Sequence, residues 1–170
     1  MKKRNHKGFT LIELLIVVAI IGIIVAIAIP NLLNAIQRAK QKRTMGDMRT
    51  AGTAAEAYAV DFNHYPAAAG YSPPSGLTIP PTLTFGKPGA PYPALNGQVT
   101  PTYVRVLPLQ DGWSSYFLYD SGNNKSNYVI FSLGKDGISG PLTYAETTNF
   151  NDDIIFIDGQ FVQYPAGAQN

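Results

Sequence analysis

The residues best suited to chemistry lie near the C-terminal end of the chain. Between Leu133 and Asp153 the sequence offers Asp136, Ser139, Glu146, Thr148, Asn149, Asn151, Asp152 and Asp153, with Gly134, Gly137 and Gly140 permitting tight turns. Oxygen donors on a turn-rich loop are what calcium requires, because the ion takes about six to eight carboxylate and carbonyl oxygens. The same composition also suits a solvated polar loop without a metal, and composition does not separate the two. Asp152 and Asp153 are adjacent, so on a strand they point to opposite faces, which suits ligation better than paired acid–base work.

Catalysis has little else to draw on. The histidines are His6 and His64 alone, and the second is read as part of a turn that ends a helix. No Gly-x-Ser-x-Gly elbow, HExxH motif or phosphate loop is present, and Gly134, Gly137 and Gly140 have the wrong spacing for a dinucleotide motif. The absence of cysteine excludes disulfides, thiolate zinc sites, iron–sulfur ligation and thiol nucleophiles. Asn124-Lys125-Ser126 is a glycosylation acceptor by pattern only. No enzymatic activity is expected. One further acid stands out. Glu13 is the single ionisable side chain among the 21 residues from Phe9 to Ile29. A carboxylate within an apolar helix is costly, and such residues tend to be functional.

These groups must be positioned by 170 residues, enough for one modest domain. The net charge of +2 conceals unlike parts. Lys2, Lys3, Arg4 and Lys7 form a basic head; Arg38, Lys40, Lys42, Arg43 and Arg49 form a basic collar against Asp47 alone; from Thr50 onward nine acidic residues face four basic ones. Between head and collar, Leu14 to Ile29 contains only Leu, Ile, Val, Ala and Gly22. Phe9–Ile29 as a helix spans roughly 31 Å, the thickness of a bilayer core. The basic counts flanking this segment tie at four each, so charge alone does not orient it. A secretory signal cleaved after Ala28, at Ala26-Ile27-Ala28, is an alternative.

Helical spacing continues past Pro30. Leu33, Ile36, Met45, Met48, Ala51, Ala55, Tyr58 and Phe62 fall at three- and four-residue steps, so Pro30 should kink the helix and not end it. Asn63-His64-Tyr65-Pro66 supplies the stop. A continuous helix from Phe9 to Phe62 would reach roughly 80 Å. That is too long for so small a domain to cover, so its first half requires lipid and then other copies of itself. The collar admits a solvated face, acidic patches on neighbouring subunits, anionic headgroups or DNA; without interleaved aromatics, nucleic acid is not expected as a partner.

Ten of the 13 prolines lie between Pro66 and Pro108. The stretch from Ser72 through Pro93 should be an ordered, non-helical loop wrapped over the helix, anchored by Tyr71, Leu77, Ile79, Leu83, Phe85 and Tyr92. Tyr103–Leu107, Tyr116–Tyr119, Tyr128–Leu133, Asp153–Ile157 and Gln160–Tyr164 are expected strands, the last two joined by an Asp158-Gly159 turn. The expected class is α+β: a long N-terminal helical spine, transmembrane in its first half, with a small C-terminal antiparallel β-sheet. The expected segments are the basic head 1–8, the membrane helix 9–29, its continuation 30–63, a proline-rich wrapping loop 64–100, and the antiparallel sheet with the oxygen-rich loop, 101–170.

Lys7-Gly8-Phe9-Thr10-Leu11-Ile12-Glu13-Leu14-Leu15 resembles the cleavage and methylation signature of type IV pilins and pseudopilins, and Pro30 falls where that family often carries a helix-kinking proline. Asn63-His64-Tyr65-Pro66, Leu107-Pro108, Asp111-Gly112-Trp113 with Tyr116, and Phe131-Ser132-Leu133-Gly134-Lys135-Asp136-Gly137 are most similar to the major pseudopilin of type II secretion systems. Where that group has Asp-Pro-Trp-Gly, this chain has Asp111-Gly112-Trp113-Ser114.

The resemblance implies a leader, residues 1–8, removed after Gly8 by a prepilin peptidase that also N-methylates Phe9. Phe9, Glu13 and Pro30 become assembly residues, with Glu13 pairing the amine of an adjacent subunit. It implies calcium, held by the Leu133 carbonyl, Asp136, Ser139, and Asp152 or Asp153. The implied protein waits in the bacterial inner membrane with its N-terminus in the cytoplasm. It then joins a helical homopolymer, a periplasmic pseudopilus that drives protein export. Minor pseudopilins or pilins, the inner-membrane assembly platform and membrane lipid are the implied partners. The alternatives are a cell-surface type IV pilus subunit for adhesion, motility or DNA uptake, and a secreted soluble calcium-binding domain released after Ala28.

Overall fold

The computed structural model describes residues 8–68, 90–91, 93–121, 125–140 and 143–167. It divides into two compact units, Met1–Gln37 and Arg38–Asn170. Helix α1, Leu11–Phe62, contributes to both and continues through Pro30. In the first unit its aliphatic side chains have no protein cover: Ile12, Leu15, Ile23 and Ile27 are each about two-thirds exposed. Its most apolar stretch is long enough to cross a membrane and none of it is buried. Each large aliphatic side chain left in water forgoes about 1.5–3 kcal/mol of transfer free energy. This surface therefore requires an external apolar phase.

The second unit is self-sufficient. Gln41, Thr44, Met45, Met48, Ala51, Gly52, Ala54 and Ala55 form the buried stripe of α1. They recur at three- and four-residue steps because only that spacing holds one helix face against a sheet. Leu33 and Ile36, expected on the same stripe, belong to the first unit and are exposed, and Phe62 is half exposed beyond the end of the core. Asn63 closes the helix in the left-handed conformation (φ 56°), a backbone region that asparagine tolerates better than most residues.

The sheet comprises β1 (Ala90–Pro91), β2 (Leu118–Asp120), β3 (Val129–Ser132), β4 (Glu146–Thr147), β5 (Ile154–Ile157) and β6 (Gln160–Pro165), in the order β1-β2-β3-β5-β6-β4. All pairs are antiparallel except β4–β6, which is parallel. Ile130, Ile154, Phe156 and Phe161 join the helix stripe in one core, while Val129, Phe131 and Ile155 form a smaller cluster. Asp158 and Gly159, both at positive φ, make the expected β5–β6 turn.

Three expectations require correction. Tyr103–Leu107 is not a strand. The Tyr103 and Val104 amides donate to the Val99 carbonyl, at 2.9 and 3.3 Å, and so complete the end of a helix. The Tyr103 hydroxyl donates to Asp61 Oδ2 at 2.6 Å, a bond that pushes its pKa up to about 12. That helix, α2 (Pro93–Val99), falls in a region expected to be loop. Pro93 occupies its first turn, where a proline interrupts no intrahelical bond. The sheet also contains one parallel pair. The proposed loop anchors Tyr71, Leu77, Ile79, Leu83, Phe85 and Tyr92 lie outside the described residues.

Helix α1 meets the sheet at Gly52. A Cβ there would overlap Phe156 Cε1 and come within 2.7 Å of the Tyr128 hydroxyl. That hydroxyl donates to Glu56 Oε1 at 2.7 Å and accepts from the Gly159 amide at 3.1 Å, joining helix and hairpin. Gly52→Val should destabilise the domain by about 2–3 kcal/mol through overpacking. Urea unfolding of the variant in detergent, with an unchanged m-value, measures it.

Candidate functional site

Two groups of sequence-predicted residues can be placed. At the N-terminus, Gly8 and Phe9 precede α1 and are exposed. Thr10 is the helix N-cap and Glu13 its third residue. The Thr10 amide and hydroxyl both donate to Glu13 Oε2, at 2.9 and 2.7 Å, and the Glu13 amide donates back to Thr10 Oγ1 at 3.3 Å. This reciprocal capping box satisfies amides that open every helix start. Glu13, expected to await an amine, is thus engaged by Thr10 in the unprocessed chain. The pattern Thr-x-x-Glu is the sequence signal of such a box.

The second group is formed by two turns and β5. Gly134 has φ +64°, and a Cβ on it would lie 2.6 Å from the Asn151 carbonyl oxygen and 2.7 Å from that of Asp152. The Lys135 amide donates to the Phe150 carbonyl at 2.9 Å. The 133–136 turn is thereby laid against the 149–153 turn, which brings together the segments carrying Leu133, Asp136, Asp152 and Asp153. Ser139 joins them through its neighbour: the Gly140 amide donates to Asp153 Oδ2 at 3.0 Å.

The carboxylates have different environments. Asp136 is exposed, and its Oδ1 accepts from the Ile138 amide at 3.0 Å. Asp152 is half-buried, with Oδ1 accepting from Asn149 Nδ2 at 3.3 Å. Asp153 is fully buried, and among the described residues its Oδ1 has no hydrogen-bond donor and the buried Ser139 Oγ no partner. Burial pushes the Asp153 carboxyl up to about 7; the Gly140 amide opposes this, and the charges of Asp136 and Asp152 add to it. Buried polar atoms without partners are costly and rare. Two of them in one corner, one an ionisable oxygen, fit a hard cation. Among the described residues no three carboxylate or imidazole side chains converge as a metal cluster, so backbone carbonyls and a hydroxyl would have to supply part of the shell.

Not every oxygen of the loop belongs to this corner. Glu146 lies in β4 and accepts from the Gly167 amide at 2.7 Å. Sequence reasoning missed Gly140 and Gln163 as members of the site. Gln163 is buried on β6, where its Nε2 donates to the Asp153 carbonyl at 3.0 Å. Its signal was a polar residue on the inward face of an otherwise alternating strand.

An uncovered apolar helix with a capped glutamate at its start, joined to a small sheet domain, defines a subunit of the pilin type. Two family models agree: the prokaryotic N-terminal methylation motif matches residues 3–29, and type II secretion system protein G matches residues 31–149. The chain belongs to the type II secretion system protein G family. It is similar to the type II secretion system core protein G of Vibrio cholerae, with 32% identity over 151 residues, 88% of this chain and 95% of the relative. Against that of Klebsiella michiganensis identity is 30% over 140 residues, 82% of this chain and 91% of the relative. Against that of Pseudomonas aeruginosa it is 31%, with the same coverage.

Thr10→Ala removes the cap, and amide exchange at Leu11, Ile12 and Glu13 in micelles should accelerate roughly fivefold, as expected for a lost N-cap. Exchange at Met48 should be unchanged.

Proposed function

We propose that this chain is the major structural subunit of a periplasmic pseudopilus serving type II secretion. The observation that carries this reading is the family match across residues 31–149, combined with an apolar helix that its own domain leaves uncovered. A peptidase of the prepilin type removes residues 1–8 after Gly8 and methylates the Phe9 amine. The N-terminus faces the cytoplasm before assembly. Lipid covers the helix first, and sister helices cover it in the filament; in both phases the same aliphatic surface leaves water. Glu13 exchanges its Thr10 partner for the Phe9 amine of a neighbouring copy, where the pair is desolvated by the surrounding helices. Minor pseudopilins and an inner-membrane assembly platform complete the set of partners. The role is mechanical: the filament moves exported proteins, and force comes from elsewhere.

Calcium has the second part in the proposal. Asp153 Oδ1, Asp136, Asp152, the Leu133 carbonyl and Ser139 would hold it, and the ion would supply two positive charges to a corner where three carboxylates repel one another. The support is the pair of unpartnered buried oxygens, Asp153 Oδ1 and Ser139 Oγ. In a chain without cysteine, an ion tying the 133–140 turn to β5 would do the work of a covalent staple.

Mass spectrometry of the mature protein should find N-methylated Phe9 at the N-terminus; an N-terminus at Ile29 would overturn the filament reading. Glu13→Leu should be cleaved and retained in the membrane while export falls at least about tenfold, the scale of a lost charge-assisted contact. Surface filaments at native expression, with export unaffected by deletion, would point to a surface pilus instead. EGTA should lower the melting temperature of the detergent-solubilised protein by roughly 5–15 °C through mass action. Asp153→Asn should remove most of that difference.

A further inference from the structure

The sheet carries one buried side chain that its own packing does not require. Gln163 sits on β6 opposite Ile155, between the buried Phe161 and Pro165, and is 1% exposed. An aliphatic residue would fill this position without the cost of burying an amide. Gln163 instead makes three hydrogen bonds, all directed away from its own strand. Nε2 donates to the Asp153 carbonyl at 3.0 Å, and Oε1 accepts from the Thr143 amide at 2.7 Å and the Thr143 hydroxyl at 3.2 Å.

We propose that Gln163 is a positioning residue for the cation corner, clasping Thr143 and Asp153 so that the chain around Gly140 is held over the Asp153 carboxylate. This rests on the calcium reading of that corner. The geometry is specific. Asp153 is held at its backbone by Gln163 and at Oδ2 by the Gly140 amide, which leaves Oδ1 as its free oxygen. Thr143 follows Gly140 by three residues, so the two ends of this short stretch are tied to β6 and to the start of β5 respectively. An amide presents a donor and an acceptor from one rigid plane, as the Asp153 carbonyl and the Thr143 N–H together demand. A carboxylate at 163 would set an oxygen against the Asp153 carbonyl; an aliphatic side chain would break the bonds to both groups. Groups that orient metal ligands from behind commonly change affinity by about 10- to 100-fold when removed.

The test uses the full chain in detergent micelles and calcium alone as the probe, with titration calorimetry and amide exchange as readouts. Gln163→Met keeps the volume and removes all three bonds; Thr143→Val, at an exposed position, removes only the hydroxyl bond and leaves folding undisturbed. Gln163→Met should raise the calcium dissociation constant about tenfold or more, and Thr143→Val about two- to threefold. In calcium-free Gln163→Met the Gly140 amide, which Gln163 does not touch, should exchange faster, while the Ile130 amide is unchanged. Wild-type protein that takes up no calcium overturns the calcium reading itself. Wild-type binding with equal affinity in both variants, and an unaltered Gly140 amide, overturns the positioning role alone.

Discussion

The second unit depends on how closely α1 can approach the sheet, and Gly52 sets that approach. Because this residue has no Cβ, the Phe156 ring and the Tyr128 hydroxyl occupy the space beside the helix backbone. Tyr128 can then reach Glu56 and the Gly159 amide, and the run of mutually tilted rings Tyr65–Tyr128–Phe156–Phe161 forms around it with neighbouring centroids 4.7–6.2 Å apart. Burial and the Glu56 bond keep the Tyr128 phenol protonated far above its ordinary range. Met45, Met48 and Ala55 extend the same seam along the helix. A second contact of this kind lies about two to three turns earlier, where Gly112 is pressed on the Lys40 backbone and its amide donates to Thr44 Oγ1 at 2.9 Å. The loop holding Gly112 is organised by Asp111, whose two oxygens accept from the Trp113 and Ser115 amides and the Ser132 hydroxyl.

With the core of the second unit closed on itself, two physical problems remain. Along the first part of α1 an aliphatic surface has no cover, a condition that lipid and sister helices both relieve. Near the start of β5 the Asp153 carboxylate is buried with no donor to Oδ1 among the described residues, and it feels the charges of Asp136 and Asp152. Each is a deficit of the isolated chain, and the proposed partners answer them by their chemistry. The deficits are of opposite character, one of excess apolar area and one of excess negative charge, so they call for different partners and do not compete.

The periodic parts of the fold were legible because they are local. The apolar run, the helix to Phe62, its end at Asn63, and the Asp158-Gly159 hairpin are each specified by neighbouring residues. Tyr103–Leu107 misled because aromatic and branched residues suit strands by composition, whereas here Val99 accepts the Tyr103 and Val104 amides and Asp61 takes the Tyr103 hydroxyl. α2 was hidden because prolines argue against helix everywhere except at its first turn, where Pro93 sits. The acids of the loop were visible as a set, but their ranking was not: nothing local separates the exposed Asp136 from the fully buried Asp153.

The apolar spine, the capping pair Thr10–Glu13 and the collection of oxygen donors between Leu133 and Asp153 are written in the residue order. These follow from residue type and short-range spacing, which act before the chain is folded. Packing alone shows that Asp153 Oδ1 is buried with no donor among the described residues, that Ser139 comes to it through Gly140, and that Gln163 reaches across from β6 to hold both Asp153 and Thr143. Those facts depend on strand register and on which groups lose water, and both are properties of the packed chain.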